Sequence, residues 1–397
     1  MRTIDAVIIG AGIQGTGIAQ AMAAAGYSVI VLEQTAVASA TSQASSKLIH
    51  GGLRYLETAQ FSLVKKSLQE RDRLLRNAPE LVNLVPFYIP VYKNSRRKPW
   101  QIHIGLGLYA LLDGFGRNAR FKRIVKADYK NLEITEKNLI AVYQYYDAQT
   151  DDQQLTRAVM YSAMQLGAEI LCPAQFVAAH SSQSGVNIDY MQDDVKHTLS
   201  AKVLINATGP WVNQVLENIT PDVSQQNIDL VQGVHLVLDL PAFDGIYYVE
   251  APQDGRAVFI MPWKDKCLIG TTETIYHGDP NEAKAQDTEI NYLLDVFNHF
   301  FQGKNTRVLE VMSGLRVLPN GQNHSNDSTF KRRRDTMIVK STRNVISVYG
   351  GKLTTYRSTA EEVMQSASDC LPAMVAKADT RTLTLTKVDA SVFPHGR

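Results

Sequence analysis

Gly10, Gly12 and Gly15 stand at GxGxxG spacing, and an acid, Glu33, follows 23 positions after the first glycine. The chemistry open to such a set is to hold a dinucleotide. The first glycine makes a tight turn, the second lets backbone approach a pyrophosphate, and the third lets a helix pack closely on a strand. The helix that opens there turns free N–H groups and the positive end of its dipole towards phosphate. Glu33 is placed to hold a ribose hydroxyl and to disfavour a 2′-phosphate. A short apolar run, Asp5 to Ile9, precedes the glycines, Ala19 to Ala25 reads as helix, and Ser28 to Leu32 is a second β-type run closing at Glu33. That strand–loop–helix–strand context separates a nucleotide site from a chance glycine-rich turn.

Polar chemistry follows at once. In "ATSQASSKLIHGGLRYLETAQ", Ala40 to Gln60, small hydroxyl residues lead into Lys47, His50, Gly51, Gly52, Arg54 and Tyr55. Further along stand "NATGPW" from Asn206, His235 in "VQGVHLVLDL", Thr271 and Thr272 in "IGTTE", Arg316 in "MSGLRVLP", and the run Lys331 to Arg334. Near the end "VYGGKLTTYR" is a strand, a Gly-Gly turn and a helix start carrying Lys352 and Thr354. The glycine motif alone leaves FAD and NAD open. Its N-terminal position, the small-residue turn at Asn206 and a helix start able to stabilise an anionic reduced flavin favour FAD. His235, alone among apolar neighbours, reads equally as a satisfied core residue and as a base. Arg54 reads as a ligand clamp or a surface ion pair, and most of Lys331–Arg334 as a solvated loop.

The strings "ATSQASSKLIHGGLRYLE", "NATGPWVNQ", "SGLRVLP" and "YGGKLTTYR", in that order between about residues 4 and 365, resemble the FAD-dependent glycerol-3-phosphate dehydrogenases of the D-amino-acid-oxidase-like flavoprotein group. The resemblance implies oxidation of sn-glycerol 3-phosphate to dihydroxyacetone phosphate, hydride passing from C2 to flavin N5 and electrons onward to a membrane quinone. Two alternatives stay open: an oxidase that returns the electrons to oxygen as peroxide, and a flavin-binding, membrane-associated protein without turnover. His235 is then the candidate general base and Arg316 polarises the reacting oxygen, since a neutral imidazole accepts a proton near neutral pH. Arg54, Tyr55, Thr271, Arg334 and Lys352 are the candidate substrate residues, because a phosphate calls for a forked cationic clamp.

The cofactor residues implied are Gly10, Gly12, Ile13 and Gly15, Glu33 with Gln34, then Thr41, Ser42, Ser45, Ser46, Lys47, Leu48, His50, Gly51 and Gly52. Ala207, Thr208 and Gly209 follow, and finally Gly351, Lys352, Leu353 and Thr354. For His50 a cofactor contact or a structural hydrogen bond is expected rather than catalysis. No metal is expected. Members of the family commonly continue into a further helical domain, so its absence is expected here, the chain running 40 residues beyond Arg357. Val317 stands where the family has proline.

Positioning these residues takes two kinds of element. The N-terminal unit, the segment around Asn206 and the C-terminal strand and helix fit a doubly wound layer, whereas short β-type runs crowd the middle of the chain. The expected fold is α/β, α+β overall: a discontinuous Rossmann-like FAD-binding domain (residues 1–85, 150–225 and 335–375) and a mainly antiparallel substrate domain with helices (86–149 and 226–334). Residues 376–397 are expected to form a tail.

Bulk properties bound the partners. The chain has 397 residues, 45% hydrophobic and 20% charged, with a net charge of +2, which excludes disorder and gives no global signal for nucleic acid. Charge is uneven: Lys93 to Lys126 holds nine basic residues against one acid, Asp113, and the rest of the chain is net acidic. Within that segment "WQIHIGLGLYALL" is a short apolar helix with basic flanks, which fits either an interfacial contact with anionic lipid or a buried helix with solvated loops. Three scattered cysteines offer no disulfide framework and no zinc site. The expected location is cytoplasmic, peripheral on the inner face of the membrane, with a homodimer an open arrangement.

Overall fold

The computed structural model describes residues 4–304, 306–319 and 336–393. Among the described residues two sheets, of nine and ten strands, carry the fold. In the first, Glu169–Leu171, Val29–Leu32, Ile4–Ile9 and Val195–Asn206 lie side by side, and Val345–Tyr349 joins the far side of the last. These neighbours are parallel and covered on both faces, which is why they read as nearly unbroken apolar runs. Alternate residues serve opposite layers. Ile8, Val31, Ile205 and Ile346 meet the helices Ile13–Ala24, Asp152–Gln165 and Tyr356–Ser366, while Val7, Ile30, Leu204 and Val345 meet the short helix Val212–Leu216. The first half of Val195–Asn206 turns antiparallel against Gly185–Gln192, so one strand serves both a hairpin and the parallel core.

The second sheet is built on two long antiparallel pairs, Val82–Tyr92 with Leu139–Thr150 and Ile228–Pro241 with Val308–Pro319. Helix Asp287–Phe300 lays Leu293, Val296 and Phe297 on the face formed by Val234, Leu236, Ile260 and Ile269. Helices Phe61–Asn77 and Pro99–Leu112 lay Val64, Leu68, Ile102 and Leu106 on the other, against Val237, Met261 and Leu268. Leu139–Thr150 was not expected as a strand: its "YQYYDAQT" lacks a clean apolar alternation, and Asp147, Gln149 and Thr150 find hydrogen-bond partners inside the fold.

Two expectations need correction. Leu48–Ile49 pairs with Ala148 and Gln149 of the second sheet, so the segment assigned to the nucleotide layer crosses between the sheets. The expected tail docks instead: Leu385, Val388 and Phe393 are buried in the helix-side core, and Leu385 N donates to Asn77 O at 2.7 Å. Its alternating "LTLTKV", Leu383 to Val388, supplies apolar residues for that contact.

Candidate active site

A cleft of about 770 Å³ opens at the carboxyl ends of the parallel strands, where open α/β sheets bind ligands. Its lining includes Gly10, Gly12, Ile13, Glu33, Gln34, Thr41, Ser42, Tyr55, Ala207, Thr208, Gly209, Arg316, Gly351 and Lys352. The residues of the glycine motif fit a dinucleotide for steric reasons. Gly10 has φ +96°, and a Cβ there would come 2.9 Å from Ala207 O. A Cβ on Gly15 would lie 1.9 Å from Gly10 O, so the helix reaches its strand only because position 15 is bare. Helix Ile13–Ala24 has no acid in its first turn, and Ile13 N donates to Ser42 Oγ at 2.9 Å. Glu33 accepts from Ala11 N at 2.8 Å and Thr35 N at 2.9 Å, which fixes its carboxylate beside the glycine loop. Gly351, φ +118°, has no room for a side chain because Gln14 Nε2 would be 2.6 Å from its Cβ; Gln14 Nε2 donates to Lys352 O at 3.3 Å.

Cationic groups gather on one buried acid. Arg316 Nη1 lies 3.3 Å and Arg54 Nη1 3.7 Å from Glu273 Oε1, with the Glu273 side chain 5% exposed. Arg316 Nη2 also donates to Thr271 Oγ1 at 3.0 Å, in space left by Gly233, whose Cβ would sit 2.5 Å from that nitrogen. Lys352 Nζ stands 3.9 Å from the centre of the Tyr55 ring, a cation–π distance. Arg54 does not line the main cleft. It lines a smaller one of about 290 Å³ with Leu53, Leu56, Arg96, Arg97 and Tyr248, on the other side of the turn Leu53–Thr58. Glu273 escaped the sequence reading although it closes "IGTTE"; the signal available was an acid directly after two threonines at a strand end.

His235 is 1% exposed and lies behind the cleft lining. Its Nε2 is 3.2 Å from Ser46 Oγ, its Nδ1 has no hydrogen-bond partner among the described residues, and Gly270 leaves space for the ring. Burial first, then the charges of Arg316 and Lys47, pull its pKa down from 6.5 to about 3. The residue is thus a neutral imidazole, but a much weaker base than the sequence reading assumed.

Lys47 requires a similar correction. It is 2% exposed, paired with Asp152 at 2.6 Å and 4.8 Å from the centre of the Trp263 ring, so its charge is spent inside the fold. Asp152 also accepts from Ser45 N at 2.9 Å and so ties this loop to helix Asp152–Gln165. Thr41 Oγ1 donates to Leu315 O at 2.8 Å, joining the loop to the arginine-bearing strand. His50 N donates to Thr354 Oγ1 at 3.2 Å, and its ring stands edge-on to Phe259. Gly15, Ser45, Ser46, Leu48, His50, Gly51, Gly52, Thr271, Leu353 and Thr354 lie outside the lining of the main cleft. Arg334 lies outside the described residues.

Comparison with known proteins agrees with this geometry. A family model described as FAD dependent oxidoreductase matches residues 5–363. The aerobic glycerol-3-phosphate dehydrogenase of Escherichia coli is 36% identical over 375 residues, spanning 92% of this chain and 73% of that protein. The D-erythritol 1-phosphate dehydrogenase of Brucella abortus is 32% identical, spanning 94% of this chain and 75% of that one. The crystal structure of a glycerol-3-phosphate dehydrogenase from Bacillus halodurans complexed with FAD superposes with a TM-score of 0.75 at 26% identity, over 97% of this chain and 68% of that one.

Proposed function

The chain belongs to the FAD dependent oxidoreductase family, and from that premise we propose that it oxidises sn-glycerol 3-phosphate to dihydroxyacetone phosphate. The observation that carries the substrate reading is the convergence of Arg54 and Arg316 on Glu273 next to a cleft shaped for a dinucleotide. FAD, when bound, supplies a flavin ring that takes two electrons as hydride. Tyr55 and Lys352, which line the cleft, bind the phosphate with Arg334, while Arg54 adds positive charge from the adjoining cleft through Glu273. Arg316, held by Thr271, polarises the oxygen that becomes the ketone. His235 takes the hydroxyl proton.

The relatives named for glycerol 3-phosphate and erythritol 1-phosphate share a phosphorylated polyol, which is the class this clamp suits. The test is anaerobic addition of sn-glycerol 3-phosphate, erythritol 1-phosphate, glycerol, lactate or glycine to the holoprotein. Bleaching of the flavin by glycerol 3-phosphate is expected; bleaching only by lactate or glycine would overturn the phosphate reading.

We propose a membrane quinone as acceptor, in preference to oxygen. Trp100, Ile104, Leu111, Phe115 and Val125 are 55–71% exposed within the basic segment, and its one acid, Asp113, is turned inward to Arg71 at 2.8 Å. Arg97 is paired with Glu57 and Glu250, yet the segment stays net basic, and an apolar face with cations at its rim suits an anionic bilayer surface. No helix among the described residues is long and apolar enough to cross a membrane. Turnover with a soluble quinone analogue, without stoichiometric peroxide, is the expected result.

A further inference from the structure

A buried chain of polar groups runs behind the active-site loop without touching the cleft. Gly51 N donates to Tyr109 Oη at 2.8 Å, and Tyr109 Oη donates to Asp147 Oδ2 at 2.5 Å. Asp147 Oδ1 accepts from Arg71 Nη1 at 3.0 Å, while Arg71 Nη2 reaches both oxygens of Asp113 at 2.8 Å. Arg71 and Asp147 are fully buried and Tyr109 is 3% exposed. An array of this kind is a poor route to stability, since desolvation consumes most of the Coulombic gain and apolar side chains would fill the space as well. A function other than stability is the better explanation for it.

At one end Arg71 also holds Asp72, with Nε at 3.1 Å and Nη2 at 2.8 Å from Oδ1; at the other the array holds the amide of Gly51. On one side of that glycine, His50 N is tied to Thr354 Oγ1 at the start of the C-terminal helix segment. On the other, Gly52 (φ +80°) leads into the turn Leu53–Thr58, which presents Arg54 and Tyr55. The fit is tight: a Cβ on Gly51 would lie 2.5 Å from Tyr109 Oη and 2.7 Å from Leu68 Cδ2. We infer that Tyr109, oriented by Asp147 and Arg71, is a positioning residue that pins Gly51 and thereby sets where Arg54 and Tyr55 stand relative to the cofactor cleft. This deepens the substrate reading above and rests on it for its kinetic readout.

Tyr109→Phe keeps the ring, edge-on to Tyr145 with centroids 6.0 Å apart, and removes only the hydroxyl. Two hydrogen bonds go with it, Gly51 N to Tyr109 Oη and Tyr109 Oη to Asp147 Oδ2; the first is the one that holds the loop, and with it lost KM for sn-glycerol 3-phosphate should rise about fivefold or more, with FAD content unchanged. Leu106→Ala, a buried neighbour on the same helix with no hydrogen-bonding side chain to hold Gly51, is the control: it should lower the melting temperature and leave KM alone. Hydrogen exchange of the peptide spanning residues 48–58 should accelerate in Tyr109→Phe and not in Leu106→Ala. Unchanged KM and exchange in Tyr109→Phe, or equal shifts in both variants, would overturn the inference. Should the wild-type flavin prove inert to glycerol 3-phosphate, the substrate reading falls, and the exchange rates alone then decide whether Gly51 is pinned.

Discussion

His235→Asn should change how stability depends on pH, by an amount the surroundings of the imidazole set. In the folded protein burial, then Arg316 and Lys47, hold the pKa at about 3 against 6.5. Between those values the unfolded chain binds a proton that the folded chain refuses, so stability falls as pH falls. At about pH 4 the difference covers roughly 2.5 pH units at about 1.4 kcal/mol each, a loss of about 3 kcal/mol. Asparagine does not titrate; its shorter side chain gives up the Nε2 contact with Ser46, a loss that is the same at every pH and drops out of the pH dependence. Asp147 works in the opposite sense, because burial raises it to about 6 and the folded protein then holds a proton that the unfolded chain releases. That contribution is common to wild type and variant and cancels in their difference. Urea unfolding of both proteins at saturating FAD, from about pH 8 to about pH 4, should therefore show wild type losing about 3 kcal/mol relative to the variant. A difference that stays flat across the range would refute the reasoning: the imidazole would then be charging in the folded state, reached by water or by a carboxylate.

Gly15→Ala should be isolated without FAD, seen as loss of visible flavin absorbance, because its methyl group would overlap Gly10 O at 1.9 Å and force helix from strand. Gly107→Ala should do the reverse and raise the unfolding free energy by about 0.5–1 kcal/mol in denaturant titration, since nothing lies within 4 Å of the added methyl in helix Pro99–Leu112. The protein should float with phosphatidylglycerol vesicles and not with phosphatidylcholine vesicles, and Trp100→Ser with Ile104→Ser should abolish flotation while leaving flavin bleaching intact. Retained flotation in that double variant would move the lipid contact to another surface.

What was legible in the sequence was chemistry that acts through local backbone. Gly10, Gly12 and Gly15 need only a strand before and a helix after them, and Glu33 needs only the next strand end; both conditions span a few dozen residues and were readable as pattern. Residues whose role depends on what the fold stacks against them were not. Lys47 carries the same charge whether it faces a phosphate or a buried carboxylate, and only Asp152, 105 positions away, decides between them. Glu273 reads as an ordinary strand-end acid until the pairing of Ile228–Pro241 with Val308–Pro319 and Thr274–Tyr276 carries Arg316 to it. Tyr109 looked like one more aromatic of an apolar helix, because nothing near it in sequence shows that Gly51 lies against its hydroxyl. Resemblance supplied His235 and Arg316 together, but burial separates their tasks: Arg316, 28% exposed in its side chain, reaches the cleft. His235 lies behind the lining, and burial, more than the charges of Arg316 and Lys47, keeps its imidazole neutral.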